Sequence, residues 1–175
     1  MRYIIRYIAG FTLGLTLFVF LIPFGLYKLS GMDHLVFQAG ISDSLILRII
    51  LSLPFFVTGV VFAVWSNIFL VHIGKGGPAE GFNIAVSPRT KKLVTSGPYR
   101  YSRNPMVFGA ISLYISVSIF LNSFLCLITI LVCLFPMVMY LREFEERRLL
   151  KDFGSEYIDY RNKVSMIFPV KRLKH

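Results

Sequence analysis

Two polar segments break an otherwise apolar chain of 175 residues, and each carries side chains suited to holding a charged ligand. The first runs from Gly74-Lys75-Gly76-Gly77-Pro78 through Ser87-Pro88 to Ser102-Arg103-Asn104-Pro105. Asn104-Pro105 stands just ahead of an apolar run and reads as a helix start, with Asn as N-cap and Pro at the first helical position. The unpaired amides of such a first turn, at the positive end of the helix dipole, suit a carboxylate or another anion. The glycines at 74, 76 and 77 let the backbone turn tightly or approach a ligand closely, and a plain turn beneath a membrane helix has the same composition.

The second segment, Arg142-Glu143-Phe144-Glu145-Glu146-Arg147-Arg148-Leu149-Leu150-Lys151-Asp152-Phe153, reads as an amphipathic helix. Glu145 lies four residues from both Leu141 and Leu149, so a regular helix points its carboxylate inward on the apolar face. Arg142, three residues before Glu145 and four before Glu146, is within pairing reach of either. The same charges also suit a solvated helix on a membrane surface. Gly154 is placed to end this helix, and a short second helix carries Tyr157 and Tyr160, which either close a pocket or lie at the membrane interface.

These segments need elements to position them, and composition says what those are. The chain is 55% hydrophobic with a mean hydropathy of +0.67, beyond what a soluble domain of this size uses to fill its core. A membrane-crossing helix takes roughly 20 mostly apolar residues. Three stretches qualify: about Ile8 to Leu26, Leu45 to Ile73, and Pro105 to Tyr140, the last dividing at Leu121-Asn122-Ser123 into a helical hairpin of two short spans. The expected fold is therefore an all-α integral membrane protein of about four transmembrane helices plus a cytoplasmic amphipathic C-terminal helix. Two N-terminal transmembrane helices occupy 1–73, a core of loop, hairpin and amphipathic helix occupies 74–169, and a basic tail occupies 170–175. No small-x-small cleavage site follows Leu26, so the first span reads as a retained helix rather than a removed signal.

The net charge of +10 is distributed along the chain as a membrane protein's is and not as a nucleic-acid binder's. All Lys and Arg except Lys28 and Arg48 lie at the N-terminus, between the second and third spans, or from Arg142 onward. Four spans put all three groups on one side, and the positive-inside rule makes that side cytoplasmic, with both termini. Basic residues there also attract anionic lipid head groups. Cys126 and Cys133 lie about 10 Å apart along one helix, too far to bridge, and read as packing residues. His34, His72 and His175 are scattered, so no metal site is expected.

In order and spacing, the polar segments resemble the isoprenylcysteine carboxyl methyltransferase family and its phospholipid methyltransferase relatives. The matching residues are Leu93-Val94, Gly97-Pro98-Tyr99, Arg103-Asn104-Pro105, Glu145-Glu146, Phe153-Gly154-Ser155-Glu156-Tyr157 and Pro169, spanning roughly 74–169. The resemblance implies transfer of a methyl group from S-adenosylmethionine to a lipid-like or prenylated acceptor, such as an isoprenylcysteine carboxylate, delivered from the bilayer. Carried over by position, Lys91, Lys92, Leu93, Val94, Tyr99, Asn104, Pro105, Met106, Val107 and Glu145 line the cofactor site. Arg142, Glu146 and Arg103 form the catalytic set, with Arg142 reaching toward the acceptor. Asn104 replaces the His of the eukaryotic enzymes and Val107 their common Tyr; Asn is no base near neutral pH, but it can cap a helix and touch a cofactor.

Methyl transfer from a sulfonium asks the protein mainly to align donor and nucleophile and to exclude water, with no metal. Nothing in the chain selects among carboxylate, amine and thiol acceptors. Membrane sterol reductases, which use NADPH, share a related Arg-Tyr-Ser-Arg-x-Pro stretch, and a non-catalytic protein retaining the fold is a further alternative. The Glu-Glu helix and the short length favour the methyltransferase. The topology is open to cysteine-accessibility labelling: a cysteine near Asp33 should label only from outside the cell, and one near Lys174 only from the cytoplasm.

Overall fold

The computed structural model describes residues 2–37, 40–77, 80–81, 84–85 and 88–169. Pro78, Ser87 and the basic tail 170–175 lie outside the described residues. Helix α1 (Arg2–Leu15) continues through a π-helical turn (Thr16–Leu21) into α2 (Ile22–Ser30), making one long apolar rod. Helix α3 (Leu45–His72) follows, then α4 (Pro105–Phe120), α5 (Phe124–Tyr140), a second π-helical turn (Leu141–Glu146) and α6 (Arg147–Lys163). A two-rung antiparallel pairing of β1 (Glu80–Gly81) with β2 (Ile84–Ala85) lies in the loop after α3.

The expected all-α membrane architecture is what the chain adopts. Three helical runs, Ile4–Leu35, Leu45–His72 and Phe124–Lys163, are long and apolar enough to cross a bilayer. The fourth apolar helix, α4, is shorter at 16 residues, about 24 Å against a hydrocarbon core of about 30 Å. The hairpin breaks where the sequence places it. Asn122 adopts φ 60°, a left-handed conformation that Asn tolerates, and Ser123 caps α5 by accepting from the Cys126 amide at 3.0 Å. The last helical run, from α5 through α6, is 40 residues long in all. Cys126 packs fully buried, whereas Cys133 is exposed on the outer face of α5, so packing describes only the first.

Helices α3 and α4 run antiparallel and cross with their backbones in near contact. A Cβ on Gly59 would come within 2.8 Å of the Gly109 carbonyl oxygen, and one on Gly109 within 2.9 Å of the Ala63 amide nitrogen. In lipid, such small-residue crossings hold helices together by close packing, because burial of apolar surface gives little there. Two buried serines of α4 bond back to carbonyls of their own helix, Ser112 to Phe108 at 3.0 Å and Ser118 to Tyr114 at 2.8 Å, so their hydroxyl hydrogens are satisfied in an apolar medium.

A backbone deficit fixes the first rod to the bundle. In the π-helical turn the Ile22 amide donates to Leu17, five residues back, so the next carbonyl, Phe18, would look to residue 23, a proline with no N–H. Tyr114 Oη of α4 supplies the missing donor to Phe18 O at 3.0 Å. Further along, Leu26 packs in a buried cluster with Ile111, Cys126, Ile130, Leu141 and Ile167. At that end of the bundle, Asp33 accepts from the Phe124 and Leu125 amides at 3.1 and 2.9 Å, and Arg48 donates to the Phe120 carbonyl at 3.2 Å.

Gly109→Leu should separate α3 from α4 and abolish a cooperative thermal transition in detergent. Tyr114→Phe should leave the fold intact but lower its stability by about 0.6 to 1.7 kcal/mol, measurable as a shift in the unfolding midpoint.

Candidate active site

The end of the bundle opposite Asp33 and Arg48, the basic end, gathers the polar segments. After α3 the chain turns through Gly74, Lys75 and Gly76, with Lys75 at φ 54°. The glycines are required by a neighbouring strand of chain, since a Cβ on Gly74 or Gly76 would strike Leu70 or Thr90. That chain is pinned there by Lys91 N donating to Gly74 O at 2.7 Å and Gly77 N to Pro88 O at 3.0 Å. Of the two sequence readings of these glycines, the tight turn is the one the contacts explain.

A 3-10 turn, Gly97–Arg100, then presents Tyr99 inward. Gly97 has φ +60° with the Phe69 ring against the place a Cβ would occupy, so both conformation and space demand glycine. Tyr99 packs in a buried cluster with Val94, Tyr157, Tyr160 and Val164, flanked by Phe69, Leu93, Leu149 and Phe153. The tyrosines reach it because Gly154, at φ 55° and ψ −126°, breaks α6 and turns its last part back onto the bundle, as the sequence places it. Tyr160 Oη donates to Tyr99 O at 2.7 Å. Burial, reinforced by Tyr99, pushes the Tyr160 phenol well above the ordinary tyrosine range, which keeps it a donor. Burial also raises the Tyr99 phenol, and the Glu145 carboxylate adds to the shift.

The centre of the site is Arg103, 8% exposed. Its Nη1 pairs with Glu146 Oε1 and donates to Tyr157 Oη at 3.2 Å. One guanidinium thus joins the start of α4 to the α5–α6 turn and to the tyrosine cluster. Tyr157 is itself raised by burial, with the Arg103 charge opposing. The Nε of Arg103 has no hydrogen-bond partner among the described residues.

The expected pairing of Arg142 with Glu145 or Glu146 does not form. Glu146 belongs to Arg103, Glu145 lies 3.5 Å from Arg148, Glu143 pairs with Arg147 at 2.6 Å, and Arg142 is exposed. The reason is the π-helical turn at Leu141–Glu146, whose wider winding inserts about one residue and advances the phase of all that follows. Glu146 thereby becomes the more buried carboxylate, its side chain 13% exposed against 31% for Glu145.

Asn104 is likewise corrected. It precedes Pro105 at the first position of α4, but its side chain makes no capping bond. Its Nδ2 donates to Met166 O at 3.0 Å instead, alongside backbone bonds from Arg103 N to Ser165 O and Asn104 N to Met166 O. The C-terminal segment claims the amide first, as a strap lying across the helix start and anchored by buried Ile167. The Met106 and Val107 amides consequently have no side-chain cap. Val107 packs with the transmembrane cluster around Leu26 and Ile111, away from Val94 and Tyr99, and Lys91 and Lys92 stand exposed at the rim.

The strap of Ser165 and Met166 escaped sequence reasoning because its bonds come from backbone groups. Among the described residues no group of three or more His, Cys, Asp or Glu is placed to hold a metal ion.

Glu146→Leu should strand the buried Arg103 charge and cost about 3 to 5 kcal/mol, whereas Arg103→Met combined with Glu146→Leu should recover most of that loss. Asn104→Asp sets a carboxylate against the Met166 carbonyl, and limited proteolysis should then cut the strap faster than in the parent.

A family model described as phospholipid methyltransferase matches residues 47–156, more than half the chain and reaching into α3. No curated protein and no solved structure matches the chain.

Proposed function

The chain belongs to the phospholipid methyltransferase family, and from that premise we propose that it moves the methyl group of S-adenosylmethionine to a lipid or prenylated acceptor at the cytoplasmic face of its membrane. Membership makes it an integral membrane methyltransferase acting on a lipid-like substrate. The donor, the acceptor's reactive group and the orientation are the proposal's own.

One observation carries it: the start of α4 has no side-chain cap, while the buried Arg103 beside it has an Nε without a partner among the described residues. Two N–H groups at the positive end of a helix and an unspent guanidinium N–H form a ready place for a carboxylate. S-adenosylmethionine carries one, together with an ammonium and a methyl made transferable by its sulfonium. Glu145, near Tyr99 and only half-buried, is the carboxylate suited to the ammonium. Val94, Leu93 and the Tyr99 ring offer an apolar wall for the flat part of the cofactor. Lys91 and Lys92 add positive charge at the rim.

The protein's own share of the chemistry is alignment. Arg103, held by Glu146 and Tyr157, fixes the helix start against the α5–α6 turn, and the strap through Ser165 and Met166 covers it from solvent. Water kept from the site cannot compete as nucleophile. Arg142, exposed beside Phe144 on the α5–α6 turn, is free to meet a carboxylate-bearing acceptor, such as an isoprenylcysteine, arriving from the bilayer.

Calorimetry on the purified protein tests the reading. S-adenosylhomocysteine should bind and NADPH should not. Glu145→Gln should weaken binding by about 1.5 to 3 kcal/mol, roughly 10- to 150-fold, with folding retained. Binding of NADPH alone would return the chain to reductase chemistry.

A further inference from the structure

Three buried polar side-chain atoms lack a hydrogen-bond partner among the described residues: Arg48 Nε, Asn67 Oδ1 and Arg103 Nε. Both arginines bond through another nitrogen, Arg48 to the Phe120 carbonyl and Arg103 to Glu146 and Tyr157. Asn67 differs, because Oδ1 is the only acceptor its side chain has. Its Nδ2 donates to Ala63 O at 2.8 Å, so turning the amide over would set oxygen against oxygen. A buried acceptor without a donor is costly, and native structures leave few.

The position of Asn67 follows from the helix crossing. Gly109 of α4 lies against Ala63 of α3. Because the helices are antiparallel, four residues on from Ala63 and four back from Gly109, about 6 Å in each case, bring Asn67 level with Pro105. The orphan oxygen is therefore level with the uncapped start of α4.

We propose that Asn67 is a ligand-binding residue whose amide oxygen accepts a hydrogen bond from an amine or ammonium N–H bound at the start of α4. Such a group completes the oxygen without bringing lone pairs that would themselves need donors in a buried place. The nitrogen belongs either to the methyl donor or to the head group of the acceptor. The inference rests on the methyltransferase reading above, and the experiment separates the two.

Asn67→Leu keeps the size and removes the acceptor. Thermal unfolding without ligand should be unchanged or shifted upward, since an unsatisfied oxygen has been deleted. Affinity for one ligand should nevertheless fall roughly tenfold. Calorimetry with S-adenosylhomocysteine and with phosphatidylethanolamine in nanodiscs identifies which: a loss for the first assigns the amine to the cofactor, and a loss for the second alone assigns it to the acceptor. Asn67→Ala gives the same comparison where leucine does not pack. If Asn67→Leu or Asn67→Ala binds both ligands as the parent does, the proposal is overturned. If the parent itself binds neither, the methyltransferase reading falls and takes the proposal with it.

Discussion

A guanidinium taken out of water has to be held by a carboxylate, and in this chain that need organises the basic end. Arg103 stands where loop becomes α4, and its pairing with Glu146 and Tyr157 ties three separate elements to one charge. A buried pair of this kind adds little net stability, because desolvation offsets most of the attraction. What it adds is geometry: the phase of the α5–α6 turn, the return of α6 after Gly154 and the position of the α4 start are all set relative to one planar group. The strap bonded to Arg103 and Asn104 through its backbone then has a fixed edge on which to lie.

Within the apolar part of the molecule the governing constraint is different, since lipid offers no hydrogen bonds to a bare carbonyl or amide. The two π-helical turns are where that constraint is met by other means. The first leaves Phe18 facing a proline, and Tyr114 completes it, which converts a local defect into a link between the first rod and α4. The second lies just beyond Pro136 and hands its phase shift to the glutamates. Each turn is thus tied to a side chain that fixes one element to another.

The sequence made the membrane spans legible because hydropathy over a long run depends on no particular neighbour. The second span is read within a residue of its helix, and the breaks at Asn122 and Gly154 follow from conformations those residue types tolerate. The candidate site was legible in outline only. A regular 3.6-residue winding places Glu145 inward, and the π-helical turn gives the deeper position to Glu146. Local preference makes Asn104 a helix cap, and a carbonyl 62 residues away claims its amide. The partner of Arg103 was hidden for the same reason. Spacing along a chain says which side chains share a face, but it cannot say which distant backbone will arrive first.

The two ends of the bundle differ in how their helix termini are satisfied, and that difference bears on where ligands belong. At the end near Asp33, the start of α5 has both a serine cap and a carboxylate across two amides, the start of α3 is capped by Ser44, and the end of α4 receives Arg48. These are contacts of a finished structure. At the basic end the start of α4 has no such partner, although Asn104 is of the right type and in the right place to supply one. Its amide is spent on the strap. Among the described residues, the first α4 amides have no side-chain cap, and Arg103 Nε and Asn67 Oδ1 have no hydrogen-bond partner. A buried group left without a partner costs free energy that a polar ligand can return, so unsatisfied groups mark the basic end, and not the Asp33 end, as the place where a ligand would add most.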